Sequence, residues 1–152
     1  MDKNIQIDTF SRYYQVSRET IVSLKKYEEI LVKANKNLNL IGKSTINQIW
    51  LRHFLDSAQV IDFVNKNDKS LIDLGSGAGF PGAVLAIVAK DKNFSIKIKL
   101  IEKSNKKSKF LKDLVNNICP DVEVINENVF KKSKKLSGDI FVARAFKPLK
   151  II

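Results

Sequence analysis

Asp73 and three alternating glycines, Gly75, Gly77 and Gly79, are the residues of this chain whose types and spacing most directly imply chemistry. They stand within Leu71–Gly82, which reads Leu-Ile-Asp-Leu-Gly-Ser-Gly-Ala-Gly-Phe-Pro-Gly. Ser70–Leu74 has the character of a short buried strand, and Ala83–Ala89 that of a buried helix. A strand running through glycines into a helix is how α/β proteins hold a nucleotide-like ligand. The glycines allow a tight turn and let a ligand lie against bare backbone. The helix start then offers free N–H groups to that ligand. A dinucleotide fingerprint wants its third glycine three residues after the second. Here that position is Phe80, and the third glycine comes one residue early. Asp73 suits a cationic ligand end or the loop's own N–H groups. It is a poor neighbour for a pyrophosphate, because like charges repel.

Other residues with chemical potential fall where an α/β sheet would bring them to the same edge. Glu102 closes the second expected strand, 27 residues after Gly75. Ligands in such sheets lie beyond the carboxyl ends of the strands, where an acid can take both hydroxyls of a ribose. Val129 and Phe130 follow the third strand, where segments commonly edge an adenine pocket. Arg144 ends the fourth strand and can pair with a carboxylate or phosphate, or stack on a base. The lone histidine, His53, stands three residues before Asp56. Three apart on the second expected helix puts both on one face, within hydrogen-bond reach, as a structural polar pair tying helical cap to core. Lys103, Lys106, Lys107 and Lys109 line a helix start, and Lys131, Lys132, Lys134 and Lys135 form a loop cluster. Either group can contact phosphates without reading sequence.

The elements that must position these residues are legible as periodicities. Residues 17–36 form an amphipathic helix with Ile21, Leu24, Tyr27, Ile30 and Leu31 on one face and Ser17 or Thr20 as cap. Asn35–Lys43 breaks that pattern and reads as a loop, and a second helix is expected from about Thr45 to Val64. Strands are expected at Ser70–Leu74, Phe94–Ile101, Val122–Ile125 and Asp139–Ala143, with a helix over Ser104–Ile118. This alternation gives a parallel sheet with crossover helices. The expected architecture is one domain, with a helical part over 1–66 and an α/β core over 67–152.

Composition narrows the function class. The chain has 152 residues, enough for one domain with a real core. Its longest apolar run free of Gly and Pro is the seven residues Ala83–Ala89, too short to span a bilayer. The N-terminus lacks the pattern of a signal peptide, and the single cysteine, Cys119, can form neither an internal disulfide nor a zinc-binding cysteine cluster. A cytoplasmic protein is expected. The net charge is +11, and almost all of the excess follows the glycine loop. Residues 1–89 contribute +2, while residues 90–119 and 131–152 contribute +6 each. A polyanion such as nucleic acid is the first partner this implies.

Asp-x-Gly-x-Gly-x-Gly resembles the first motif of class I S-adenosylmethionine methyltransferases, whose cofactor carries an ammonium and a sulfonium. Further stretches narrow the resemblance: Asn37–Gly42, His53–Ser57 (His-Phe-Leu-Asp-Ser), Asp73–Gly82, Lys106–Leu111 and Ala143–Leu149. In order and spacing, from about Tyr27 to Leu149, the chain resembles the ribosomal RNA small subunit methyltransferase G family, also called glucose-inhibited division protein B. The resemblance implies a Rossmann-like α/β methyltransferase fold with an N-terminal helical cap. It implies methylation of guanine N7 in 16S ribosomal RNA, with S-adenosyl-L-methionine as cofactor. The partner would be 16S ribosomal RNA or the small ribosomal subunit, with no metal and no membrane, and the complete protein would be a monomer. Contacts to the cofactor are implied at Gly75, Phe80, Val129, Phe130 and Arg144, with Glu102 as the ribose acid. Asp73 and Gly77 join this set from the motif itself.

There are two departures from the family pattern. Phe130 stands where the family usually has an acid; a backbone contact survives that change and a side-chain contact does not. The family fold has seven strands and four are legible here, so the C-terminal strands are expected to be missing. That makes a truncated, non-catalytic RNA- or cofactor-binding remnant the alternative reading. An NAD-type oxidoreductase is a third reading, opposed by the glycine spacing.

Overall fold

The computed structural model describes residues 1–131 and 135–145. Four strands form one parallel sheet in the order β3-β2-β1-β4: β1 (Ser70–Leu74), β2 (Lys97–Ile101), β3 (Glu123–Ile125) and β4 (Ile140–Ala143). Leu74 sits opposite both Ile101 of β2 and Ala143 of β4. The carboxyl ends of these strands are therefore level, and the segments that follow them share one edge. The fold is the expected Rossmann-like α/β arrangement with a helical cap. Among the described residues no helix is long and apolar enough to cross a membrane.

Helices α4 (Gly82–Asp91) and α5 (Asn105–Ile118) make the crossovers. Ser104 caps α5, its hydroxyl accepting from the Lys107 N–H. The expected strand from Phe94 begins three residues later, for a local reason. Asn93 takes a left-handed conformation, and the Phe94 N–H donates to the Ala89 carbonyl at 2.9 Å. Asn93 also donates to Lys90, so this segment closes α4 as a Schellman motif before the strand can start.

The cap is built from α1 (Lys3–Tyr14), α2 (Arg18–Leu38) and an irregular helical segment over residues 43–63. Tyr27, Leu24 and Leu31 of α2 are fully buried, and α2 packs against α4 and α5. Asn35 belongs to α2 and not to the loop expected there. Its side chain closes the helix end by accepting from the Ile41 N–H at 2.8 Å and donating to the Ile41 carbonyl. α1 had no counterpart in the sequence reading. It is capped by Asp2 and buries Gln6, Phe10 and Tyr14, which recur every four residues. Phe10 meets Trp50 edge to face, with ring centroids 5.7 Å apart.

The helix expected over Thr45–Val64 is a succession of different turns. Residues 43–48 are 3-10, Trp50–Leu55 is a π-helix, α3 (Asp56–Ala58) is one α-turn, and Gln59–Phe63 is again 3-10. The π-turn buries Trp50, His53 and Phe54 together. Its i→i+5 bonding also changes the phase of the residues beyond it, so residues three apart no longer stack as on an α-helix. The expected His53–Asp56 hydrogen bond is accordingly not made. His53 bonds Thr45, and Asp56 accepts from Gln59 and faces Arg144.

Candidate ligand-binding site

A cavity of about 420 Å³ opens at the carboxyl edge of the sheet, within the roughly 300–1,000 Å³ usual for small-molecule sites. Each strand contributes to it through the segment that follows. Gly75–Ala78 and Phe80 come after β1, Glu102 and Lys103 after β2, Glu127–Phe130 after β3, and Arg144 at the end of β4. The cap closes the opposite side with Leu40–Gly42 and His53. Seven of the eight residues singled out from the sequence thus meet at one cavity: Gly75, Gly77, Phe80, Glu102, Val129, Phe130 and Arg144.

Asp73, the eighth, does not reach the cavity. It is fully buried, and its Oδ2 accepts from the Gly82 N–H at 2.9 Å. The reason is strand geometry, since a residue inside β1 projects from a face of the sheet and not from its end. Asp73 therefore fixes the start of α4 to the strand, and the Gly82 N–H expected for a ligand is already taken. A Cβ on Gly82 would lie 2.7 Å from that same carboxylate oxygen. Burial pushes the Asp73 carboxyl up, to about 7, against the opposing effect of the Gly82 bond. Because the folded value lies above the unfolded one, this group favours folding most below about pH 4, and that contribution is lost as pH rises through 7. Urea unfolding of Asp73→Asn should show the variant gaining on the parent between pH 5 and pH 7.5. A constant gap between the two proteins would contradict the raised value.

The glycine loop is held by backbone bonds. The Gly75 and Ser76 N–H groups donate to the Ile101 carbonyl at 2.8 and 3.0 Å. The Gly77 N–H donates to Glu102 Oε2 at 2.8 Å, and Glu102 Oε1 accepts from the Ser104 N–H at 3.1 Å. Glu102 thus ties the glycine loop to the start of α5. A carboxylate has about four acceptor positions, so two remain beyond these bonds. Gly79 has φ of +98° and is packed against Tyr27 and Ala83. The Tyr27 hydroxyl donates to the Ala78 carbonyl at 2.7 Å, so α2 sets the height of this loop.

Phe80 is enclosed by rings. His53 lies parallel to it at 4.9 Å and 6°, and Tyr27 at 5.5 Å and 21°. The Arg144 guanidinium sits 5.6 Å from its centroid. Arg144 Nη2 donates to the Arg52 carbonyl at 3.0 Å and lies 3.5 Å from Asp56. Its Nη1 is buried without a hydrogen-bond partner among the described residues, and so is His53 Nδ1. Val129 and Phe130 lie on the loop after β3, where the Phe130 N–H donates to Asn128 Oδ1 and the Phe130 ring is half exposed.

Several contributors were not singled out for this site. Leu40–Gly42 stands in a stretch read as a loop and noted for its resemblance, with no site role given to it, and Asn128 carried no sequence signal. Tyr27 showed itself only as a member of an apolar stripe. Lys103 and Lys107 of the lysine-rich helix start reach the cavity wall, whereas Lys106 and Lys109 do not line it. Lys132, Lys134, Phe146 and Leu149 lie outside the described residues. Among the described residues no group of His, Cys, Asp or Glu could hold a metal ion.

Comparison with known proteins places this arrangement. Residues 20–152 match the family model GidB, rRNA small subunit methyltransferase G. The ribosomal RNA small subunit methyltransferase G of Pelagibacter ubique is 41% identical over 139 residues, covering 90% of this chain and 65% of that protein. The enzyme of the same name from Paramagnetospirillum magneticum is 38% identical, covering 88% of this chain and 62% of the relative. That from Parvibaculum lavamentivorans is 35% identical over 147 residues, covering 95% and 64%. The chain thus spans somewhat less than two thirds of the length of these relatives. With a glycine loop, an acid after β2 and an arginine after β4 around one cavity, and a family match over most of its length, the chain belongs to the GidB family, rRNA small subunit methyltransferase G.

Proposed function

We propose that this chain binds S-adenosyl-L-methionine in the cavity at the sheet edge and transfers its methyl group to N7 of a guanine in 16S ribosomal RNA, in the cytoplasm. The observation that carries the reading is the convergence of seven residues, from Gly75 to Arg144, on one cavity in a chain of this family. When bound, the cofactor supplies a methyl group on a sulfonium, and transfer to N7 leaves S-adenosylhomocysteine.

The residues present fit that group. The Arg144 guanidinium, a partly exposed cation on the cavity wall, suits a carboxylate at the amino-acid end. The spare acceptor positions of Glu102 suit the hydroxyls of a ribose. The backbone of Gly75–Ala78 offers a surface without side chains to obstruct a close approach, apart from Ser76 and Ala78. Val129 and Phe130 supply apolar contacts for a purine. Lys103 and Lys107 at the rim suit phosphates of an RNA strand.

Guanine N7 already carries a lone pair, so the chain has no proton to remove before attack. Its task is alignment and the exclusion of water. This agrees with a site in which Asp73 is committed to the fold and in which burial, and then the Arg144 charge, lower the His53 pKa to about 4. Incubation with methyl-labelled S-adenosylmethionine and small ribosomal subunits or 16S ribosomal RNA tests the reading. The expected product is 7-methylguanosine in the RNA digest; label at another position, or none, would contradict it.

A further inference from the structure

Asn126 follows β3 directly, is exposed, and does not stand on the cavity wall. Its side-chain amide crosses to the neighbouring strand end. Nδ2 donates to the Glu102 carbonyl at 2.9 Å and to the Lys103 carbonyl at 3.2 Å. Both partners are carbonyl oxygens, which only accept, so the NH2 end of the amide faces them and gives one hydrogen to each. The Glu102 N–H donates to the Ile125 carbonyl at 3.0 Å. Asn126 thus adds a side-chain rung just beyond the backbone ladder of β2 and β3.

In an extended chain successive carbonyls point to opposite sides. Two consecutive carbonyls that accept from a single NH2 require the chain to turn between Glu102 and Ser104. The same turn brings the Ser104 N–H to Glu102 Oε1 at 3.1 Å, and Ser104 goes on to cap α5. Glu102 Oε2 is held by the Gly77 N–H at 2.8 Å. Both carboxylate oxygens are therefore fixed only while the backbone is bent, and the Asn126 amide clasps that bend from outside the cavity. We propose that Asn126 is a positioning residue for Glu102, holding the turn that presets its carboxylate for the two hydroxyls of a ribose. This rests on the S-adenosylmethionine reading above. Ordering already done in the free protein does not weaken binding, so the clasp is felt as affinity.

Calorimetric titration of the parent and of Asn126→Ala, each with S-adenosylhomocysteine and with its 2′,3′-dideoxy analogue, tests the proposal. The variant should lose about three- to tenfold in affinity for S-adenosylhomocysteine, the worth of about one hydrogen bond. Its loss for the analogue, which has no hydroxyls for Glu102 to take, should stay below about twofold. Equal losses for the two ligands would mean that Asn126 acts on the site at large, or on Asn128–Phe130 further along its own loop, and would overturn the proposal. So would an unchanged affinity for S-adenosylhomocysteine. A parent that binds neither ligand would remove the S-adenosylmethionine reading together with the role built on it. A parent that binds both equally well would take the ribose away from Glu102 and overturn the role alone.

Asn126→Asp separates hydrogen-bond donation from shape. It keeps the outline of the side chain, but an ionised carboxylate has no hydrogen to give and would face the two carbonyls with oxygens. It should lose at least as much as Asn126→Ala, about tenfold, and again for S-adenosylhomocysteine far more than for the dideoxy analogue. Because Asn126 is exposed, neither variant opens the core. An Asp variant that binds like the parent would mean that the outline and not the N–H groups matters, and would contradict the proposal.

Discussion

Gly79→Ala should cost this protein about 2–5 kcal/mol of stability, through strain at a left-handed backbone position and through overpacking. For a chain of this length that corresponds to a loss of roughly 5–15 °C in melting temperature. The argument is steric. At φ of +98° the new methyl would run into the Tyr27 hydroxyl and lie 3.2 Å from the Ala83 side chain. Neither neighbour can give way cheaply. Tyr27 is fully buried, its hydroxyl is bonded to the Ala78 carbonyl, and its ring is packed on Phe54 and Phe80. Gly77→Ala is the control. Its φ is +55°, but the nearest atom to a new Cβ is the Gly75 carbonyl oxygen at 3.9 Å. It should cost only the backbone term, about 1–2 kcal/mol. Chemical unfolding of the two variants checks the pair, and equal losses would mean that the Tyr27 contact contributes nothing.

Arg144→Ala should weaken S-adenosylhomocysteine binding by about 10- to 150-fold, the worth of a charge-assisted hydrogen bond of about 1.5–3 kcal/mol. The guanidinium is already positioned by the Arg52 carbonyl, Asp56 and the Phe80 face. It lines the cavity and has little ordering left to do when a ligand arrives. Arg144→Lys should recover little, because an ammonium cannot serve the Arg52 carbonyl and the ligand through one planar fork. Folding should change less than binding, since the Asp56 contact is a partly exposed ion pair. Calorimetric titration of the two variants reads this directly, and an affinity equal to the parent's would remove Arg144 from the site.

The parts of the fold that were legible in sequence are those set by local rules. β1, the glycine turn and α4 follow from an apolar run, three glycines and a second apolar run. α5 follows from its Ser104 cap and its apolar face. The segment over residues 43–63 was misread as one helix because its 3-10 and π geometry is imposed from outside, by burial of Trp50 and Phe54 against α1 and α2. The same misreading produced the His53–Asp56 pair, since helical spacing holds only where the helix is regular. α1 escaped notice because it has only three buried residues, one of them a glutamine, among polar neighbours. For the site, glycines and strand-end residues carry their position with them. For Asp73 the residue type left a cationic ligand end and the loop's own N–H groups both open, and the bond from the Gly82 N–H is the second of these. The bond that holds His53, to Thr45, joins residues eight apart, a spacing that no regular element sets.

The central claim is that the cavity between the strand ends and the cap holds S-adenosylmethionine. Thermal melting of the chain with and without S-adenosylhomocysteine tests it most directly, with NADH as a parallel sample. At roughly 100 times a micromolar Kd, binding to the folded state adds about 2.7 kcal/mol. For a chain of this size that predicts an upward shift of about 5–10 °C with S-adenosylhomocysteine and none with NADH. An unshifted melt, or protection by NADH instead, would contradict the account.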